Sequence, residues 1–294
     1  MTMPSVDPTL KRLRDEIAKT GKPLEIRISS LLDNKWPDVI NQDTYYDKSR
    51  VLREIDIRAS IAPIDIGNLE LEANLIIECK KSEAFSWVFF TRPYRRFEVD
   101  DIAGQYLDEV QMAAKNTGRT EIMFELLKDA RLHYSDQKRV GVTYEAFQTG
   151  DPHKSQFKED KGATFEAVSQ LRSYVECSND EDIRIRVPVL PYTIQMSFPC
   201  IVFRGSMYEA VVEGNDLGLE KTNHLVLKAT FSSAYSIYEK GLLVDIVSEE
   251  YFNDYQELIR KDISYLEKRV RKKSDIISSR ITEMMSLLES IHKG

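Results

Sequence analysis

Asp56, Glu78 and Lys80 stand in two stretches of regular apolar alternation. Two carboxylates facing one another can hold a hard divalent cation, and an ammonium beside them can meet the oxygens of a phosphate. The stretch that carries them is Val51–Ser82, VLREIDIRASIAPIDIGNLELEANLIIECKKS. In its first half Val51, Ile55, Ile57, Ala59 and Ile61 share one parity, with Glu54, Asp56, Arg58 and Ser60 on the other. In its second half Leu69, Leu71, Ala73, Leu75, Ile77 and Cys79 alternate with Glu70, Glu72, Asn74, Ile76, Glu78 and Lys80. Period two over such lengths predicts two β-strands, each with an apolar and a charged face.

Gly67, tolerant of positive φ, predicts where the two strands turn. Folding there sets Ile57 opposite Ile77 and Asp56 opposite Glu78, apolar against apolar and carboxylate against carboxylate. Opposed side chains begin about 5 Å apart at Cβ, where like charges repel. A Mg²⁺ ion, which takes oxygen ligands and often only one or two protein carboxylates, suits that gap. Lys80 then stands beside the ion. Asp65, in the literal Pro63-Ile64-Asp65 element, belongs to the turn at the far end of the hairpin and is set aside as a ligand.

Asp56 in REID, followed by Glu78-Cys79-Lys80 at the end of an apolar strand, resembles the PD-(D/E)XK nuclease superfamily with its restriction-endonuclease-like fold. The resemblance implies that Asp56 and Glu78 bind catalytic Mg²⁺, with Mn²⁺ as a substitute, and that Lys80 positions the attacking water. It extends to Glu25 in PLEIRISSLL, on a helix before the hairpin, as a third metal ligand. It extends also to Gln170 and Tyr174 in QLRSY, a Q-x-x-x-Y element of the RecB type on a helix after it. The implied protein is a Mg²⁺-dependent deoxyribonuclease, an endonuclease for preference, with DNA as its partner. Its fold would be α/β, a mixed central sheet flanked by helices. E-x-K spacing alone is common in a chain that is 30% charged, and Glu159-Asp160-Lys161 repeats it without an apolar strand leading in.

Elements must position these groups. Residues 9–20 predict a charged helix, with Leu10, Leu13 and Ile17 on one stripe. Gly21 breaks it, and Pro23 opens a second helix with Leu24, Ile28, Leu31 and Leu32 at helical spacing. Glu25 borders that stripe, although a first-turn glutamate is also what the helix dipole favours. Thr44-Tyr45-Tyr46 predicts an edge strand before the hairpin. Beyond Lys81, Trp87, Phe90 and Tyr94 interleave with Arg92, Arg95 and Arg96, a pattern that suits either a nucleic-acid backbone or an ordinary loop. Residues 98–116 look helical, and 83–162 as a whole read as an insertion or a substrate-facing subregion. Residues 163–177 predict an amphipathic helix with Phe165, Val168, Leu171 and Val175 as its stripe.

From Arg184 onward the pattern turns to strands, with Gly205-Ser206 suggesting a second hairpin, and then HLVLKATF and GLLVDIVS. These complete a nuclease-like unit over 1–250. Residues 251–294 read as a long helix with near-heptad apolar spacing, interrupted at Lys273 and Arg280, and as a candidate homodimer contact. A second functional class follows from that helix: a noncatalytic nucleic-acid-binding or assembly module. The net charge of −7 also favours it, since nucleic-acid binders usually show a basic footprint. No apolar run approaches the roughly 20 residues that span a bilayer, and the start lacks a signal-peptide core, so a cytoplasmic protein is expected. Cys79, Cys177 and Cys200 are scattered, as are the four histidines, giving neither a disulfide framework nor a zinc spacing.

Overall fold

The computed structural model describes residues 7–33, 35–47, 49–82, 84–94, 98–102, 106–108, 125–148, 162–178, 191–232 and 239–293. Helix α1 (Pro8–Lys19) starts at Asp7, whose carboxylate caps the Thr9 N–H, and its Leu10, Leu13 and Ile17 are exposed. Helix α2 (Lys22–Leu32) begins at Gly21 and buries Leu24, Ile28 and Leu32, the stripe that its spacing predicts. Strand β1 (Asp38–Tyr46) is the expected edge strand, antiparallel to β2 (Leu52–Ser60). The short β3 (Ile64–Ile66) and long β4 (Leu69–Lys81) meet at a tight turn where Gly67 has a φ of 74°. Asp65 accepts the Gly67 N–H there and serves the turn.

The pairing of β2 with β4 puts Ile57 opposite Ile77, as the alternation predicts. Strand β3 pairs with β4 one residue out of that register, so 61–63 absorb an extra residue between β2 and β3. Strand β5 (Phe85–Pro93) follows β4 closely, and β6 (Tyr106–Asp108) and β7 (Arg139–Gln148) come after it. Residues 98–116 therefore do not form the expected helix throughout. Val99–Ile102 is a 3-10 turn and Tyr106–Asp108 pairs with a central strand.

Helix α3 (Gly162–Ser178) leads to β8 (Tyr192–Arg204), β9 (Met207–Glu213), β10 (Asp216–Lys221), β11 (His224–Ser232) and β12 (Glu239–Ser248). The buried side of α3 is Ala167, Leu171, Tyr174 and Val175, while Phe165, expected on the apolar stripe, is exposed. Strand β8 runs parallel to β4 along their whole length. Pro199 interrupts its N–H series between Ile194–Met196, which pair with β6, and Cys200–Phe203, which pair with β12.

Gly205-Ser206 does not make a hairpin. Strands β4 and β8 bend together there and continue as the parallel pair β5 and β9. Ser82 N–H donates to Arg204 C=O and Trp87 N–H to Ser206 C=O across the corner. A Cβ at Gly205 would lie 2.7 Å from the Ser82 carbonyl oxygen and 2.5 Å from the Phe203 ring, so only glycine lets the backbones come this close. Hydrogen-bonded neighbours run β1-β2-β4-β8-β12-β11-β7-β5-β9-β10. Because β9 continues β8, the path from β8 through β12, β11, β7 and β5 closes on itself. Its thinnest seam is between β7 and β11, with the single pairing Leu227↔Gly141.

The closed part and the inner side of α3 share one core, built on Trp87, Phe89, Ile201, Phe203, Leu242 and Val244. Trp87 stacks on Phe203 with centroids 4.0 Å apart, so this member of the aromatic and arginine run is structural. Arg95 and Arg96 lie outside the described residues. The second core lies under α2 and the long α4 (Phe252–Lys293). Phe252, Tyr255, Ile259, Ile263, Leu266, Val270, Ile277 and Ile281 are buried there, so α4 packs on its own chain as far as Ile281. Lys273 breaks the apolar spacing because its ammonium reaches the Glu125 carbonyl and carboxylate. Met284, Leu287 and Ile291 have side chains outside the described residues.

Candidate active site

Between Ser60↔Asn74 and Ile57↔Ile77 the β2 and β4 backbones pair regularly, and then they part. At the next position Asp56 no longer takes part in a backbone pair. Its Oδ2 accepts the Cys79 N–H at 2.7 Å, a side chain standing in for a ladder bond. The departure is visible in packing. Ile57 lies in the core under α2 and α4, whereas Ile55, of the same parity, lies in the core under α3. Strict alternation would have kept them on one face, so β2 rotates at Asp56. Opposite, on β1, Gln42 adopts a φ of 57°, which non-glycine residues seldom take and which recurs at functional sites.

This fork gathers the sequence-derived residues. Glu78 is fully buried, and Lys80 Nζ stands 3.0 Å from its Oε2. Neither Glu78 oxygen accepts a hydrogen bond of good geometry. Burial and the nearby Asp56 charge raise the Glu78 pKa to about 7, against the opposing pull of Lys80. Asp56 is raised too, chiefly by burial, with the Cys79 N–H acting against this and the Glu25 charge adding to it. The Lys80 ammonium is held charged because Glu78 and Asp56 outweigh its burial. From α3, Gln170 Oε1 accepts from Lys80 Nζ at 3.3 Å.

Glu25 approaches from α2, also buried, with Lys22 Nζ 2.7 Å from its Oε2 and 3.7 Å from Glu54 Oε1. Lys22 is a neighbour of the site that its sequence position did not single out. The charges of Glu25, Glu54 and Asp56 all act on it, and its pKa is raised. Five of the six sequence-derived residues thus surround the fork. Tyr174 does not reach it. One turn beyond Gln170, its hydroxyl donates to Asp43 Oδ2 at 2.7 Å, where Arg58 Nε also donates at 2.8 Å. These groups line a separate cleft of about 500 Å³, with Asn74 and Glu72 on the same face of β4 as Glu78.

The oxygens gathered at the fork are of the type that a hard divalent cation takes. The fork offers carboxylate oxygens only, two of them buried without a hydrogen-bond partner, and buried polar atoms are rarely left so. Asp56 and Glu78 share the fork with Lys80, and the charge of Glu25, itself paired with Lys22, is felt at Asp56 from the α2 side.

A second polar cluster was not visible in the spacing of the sequence. His133, His224, Asp245 and Asp262 meet beneath α4. The carboxylates of Asp245 and Asp262 outweigh burial and push the His133 pKa up to about 10, and the two imidazoles hold Asp245 well below the usual carboxylate range. The one local signal was Asp245 itself, a charge inside the apolar strand GLLVDIVS. Comparison of the chain with protein-family models, curated proteins and solved structures finds no match. Among the described residues, no helix is long and apolar enough to cross a membrane.

Proposed function

We propose that the β2–β4 fork is the catalytic centre of a metal-dependent nuclease on a restriction-endonuclease-like core, hydrolysing phosphodiester bonds in DNA and cutting internally. The observation that carries this reading is the fully buried Glu78 carboxylate, which accepts no hydrogen bond of good geometry, beside Asp56 and ion-paired with Lys80. Glu78, Asp56 and Glu25 would hold Mg²⁺ or Mn²⁺. Such an ion, when bound, polarises the phosphate and lowers the pKa of a bound water. Asp56, fixed by the Cys79 N–H, and Glu78, fixed by burial, keep their carboxylates in place without reorganisation. Lys80 orients the attacking water and offsets the negative charge that builds on the phosphate. Gln170 holds the Lys80 ammonium from the α3 side.

The surroundings support a polyanionic substrate despite the net charge. Lys81 pairs with Arg204 at the same end of the strands, and beside them a cleft of about 430 Å³ is lined by Arg27, Arg204 and Lys221. Glu249 partly neutralises it by pairing with Arg27 at 2.7 Å and Arg204 at 3.5 Å. The reading of the chain as an assembly module loses ground, because α4 spends its apolar stripe inside the chain as far as Ile281.

The test is cleavage of supercoiled plasmid and of linear single- and double-stranded DNA with Mg²⁺, Mn²⁺ or EDTA. Cutting that needs the metal and falls about 10²–10³-fold in Lys80→Ala is expected. Metal-independent cutting, or full activity in both Asp56→Ala and Lys80→Ala, sinks the proposal.

A further inference from the structure

On the face of the sheet that α4 covers, away from the fork, four side chains converge from positions spread over 130 residues of sequence. His133 lies in the 3-10 turn His133–Asp136, His224 starts β11, Asp245 sits within β12 and Asp262 is in α4. We propose that His133 Nε2, His224 Nε2 and Asp245 Oδ1 form a second, structural metal site for a divalent transition ion of the zinc type.

The first ground is spacing. The candidate ligand atoms all lie within 4.8 Å of one another, and Asp245 Oδ1 is 3.1 Å from His133 Nε2 and 2.8 Å from His224 Nε2. Tetrahedral zinc with bonds of about 2.0–2.1 Å sets neighbouring ligand atoms about 3.3 Å apart. The two Asp245 edges lie within about half an ångström of that spacing, and the edge between the histidine nitrogens is no longer than 4.8 Å.

The second ground is orientation by groups behind the ligands. His133 Nδ1 is 2.5 Å from Asp262 Oδ2, and the same carboxylate accepts the His133 backbone N–H at 3.0 and 3.1 Å. A carboxylate on the far nitrogen fixes the imidazole, selects the tautomer and makes the near nitrogen a better ligand. Asp245 is anchored in the same manner. Its Oδ2 takes the hydroxyls of Tyr134 at 3.2 Å and Tyr255 at 3.1 Å, His133 Nε2 lies between the two oxygens at 3.1 and 3.2 Å, and Oδ1 faces both histidines.

The third ground is the chemistry of the donors. Two imidazoles and one carboxylate, with a fourth position for water, are a mixed nitrogen and oxygen set of the kind zinc takes. Mg²⁺ prefers oxygen alone, so this site and the fork would select different ions. His224 supplies the way in, because its side chain is 12% exposed while that of Asp245 is wholly buried. The ion would tie the segment before β7 to β11 and β12, with Asp262 fastening the set to α4. It sits on the sheet face opposite Glu78 and takes no part in phosphodiester cleavage.

The full-length protein is stripped with a chelator, dialysed and titrated with Zn²⁺ against a chromophoric competitor. Co²⁺ uptake is followed by visible absorption and thermal unfolding is recorded in parallel. One equivalent of ion is expected in the wild type, with a d–d spectrum of four-coordinate intensity for Co²⁺. The unfolding midpoint should rise by about 5 °C or more at metal a hundredfold above the dissociation constant. Glu78→Gln should keep both effects, which separates this site from the fork whatever the fate of the nuclease reading. His224→Gln, at the accessible rim, should fold and lose both. Absence of stoichiometric Zn²⁺ and Co²⁺ uptake in the wild type overturns the proposal. So does uptake that survives in the double variant His224→Gln, Glu78→Gln, where the fork is disabled as well. Either leaves the cluster as a buried ion-pair network only.

Discussion

Replacing Glu78 by glutamine should stabilise the metal-free protein above neutral pH while abolishing its activity. The carboxyl is fully buried, and its pKa rises from 4.5 to about 7 on folding. Between those values the folded chain binds more protons than the unfolded one, so stability falls as pH rises through the window. Above pH 7 the whole difference is felt. A shift of this size at 1.36 kcal/mol per unit is on the order of 3 kcal/mol. Glutamine keeps the shape and carries no charge to desolvate. In EDTA at pH 8 the variant should unfold on the order of 5–10 °C above the wild type, at a few degrees per kcal/mol for a chain of this size. Near pH 4.5 the gap should close, because the wild-type carboxyl is then protonated. Mg²⁺ at pH 8 should narrow it too, by stabilising the wild type alone. Calorimetry across pH 4.5–8.5, with and without Mg²⁺, makes the measurement. A variant less stable than the wild type at pH 8, or a gap independent of pH, would refute the view that Lys80 compensates the buried Glu78 charge only in part.

The two positions of the Q-x-x-x-Y element should separate. Gln170→Ala, which frees the Lys80 ammonium, should lower the cleavage rate about 10-fold with little change in unfolding. Tyr174→Phe removes a hydrogen bond to Asp43 and should cost about 1–2 kcal/mol in urea unfolding while leaving cleavage unchanged. Gly205→Ala should destabilise by about 1–3 kcal/mol, through the clash of its Cβ with the Ser82 carbonyl and the Phe203 ring, as read by the same unfolding experiment.

The hairpin was legible because side-chain parity forbids any one-residue slip and the turn at Gly67 selects among the registers that remain, from which Ile57↔Ile77 follows. Helix α2 was legible for a similar reason, with Gly21 and Pro23 marking its start and Leu24, Ile28 and Leu32 its buried side. The direction of Tyr174 was not. Residues four apart share a helix face, but the sheet beneath is wide enough for Gln170 to meet Lys80 and Tyr174 to meet Asp43. The bend at Gly205 was hidden because glycine marks a hairpin turn and a close backbone approach alike. The His133, His224, Asp245 and Asp262 cluster was hidden because tertiary pairing alone brings its members together.

The placement of β8 bears on how the chain can assemble. This strand lies between β4, about 110 residues earlier, and β12, some 40 residues later. During synthesis from the N-terminus, the β2–β4 hairpin can form from local contacts alone. Strand β8 must then dock in parallel after a long loop has closed, and most of its outer edge stays uncovered until β12 emerges. Such non-local pairing is slow, and the waiting edge is a template for other chains. Residues 239–248 thus act as a late wedge that finishes the ring and caps the edge. A nascent chain halted before residue 239 would hold every residue of its fork while its sheet stayed open and the core under α2 lacked α4.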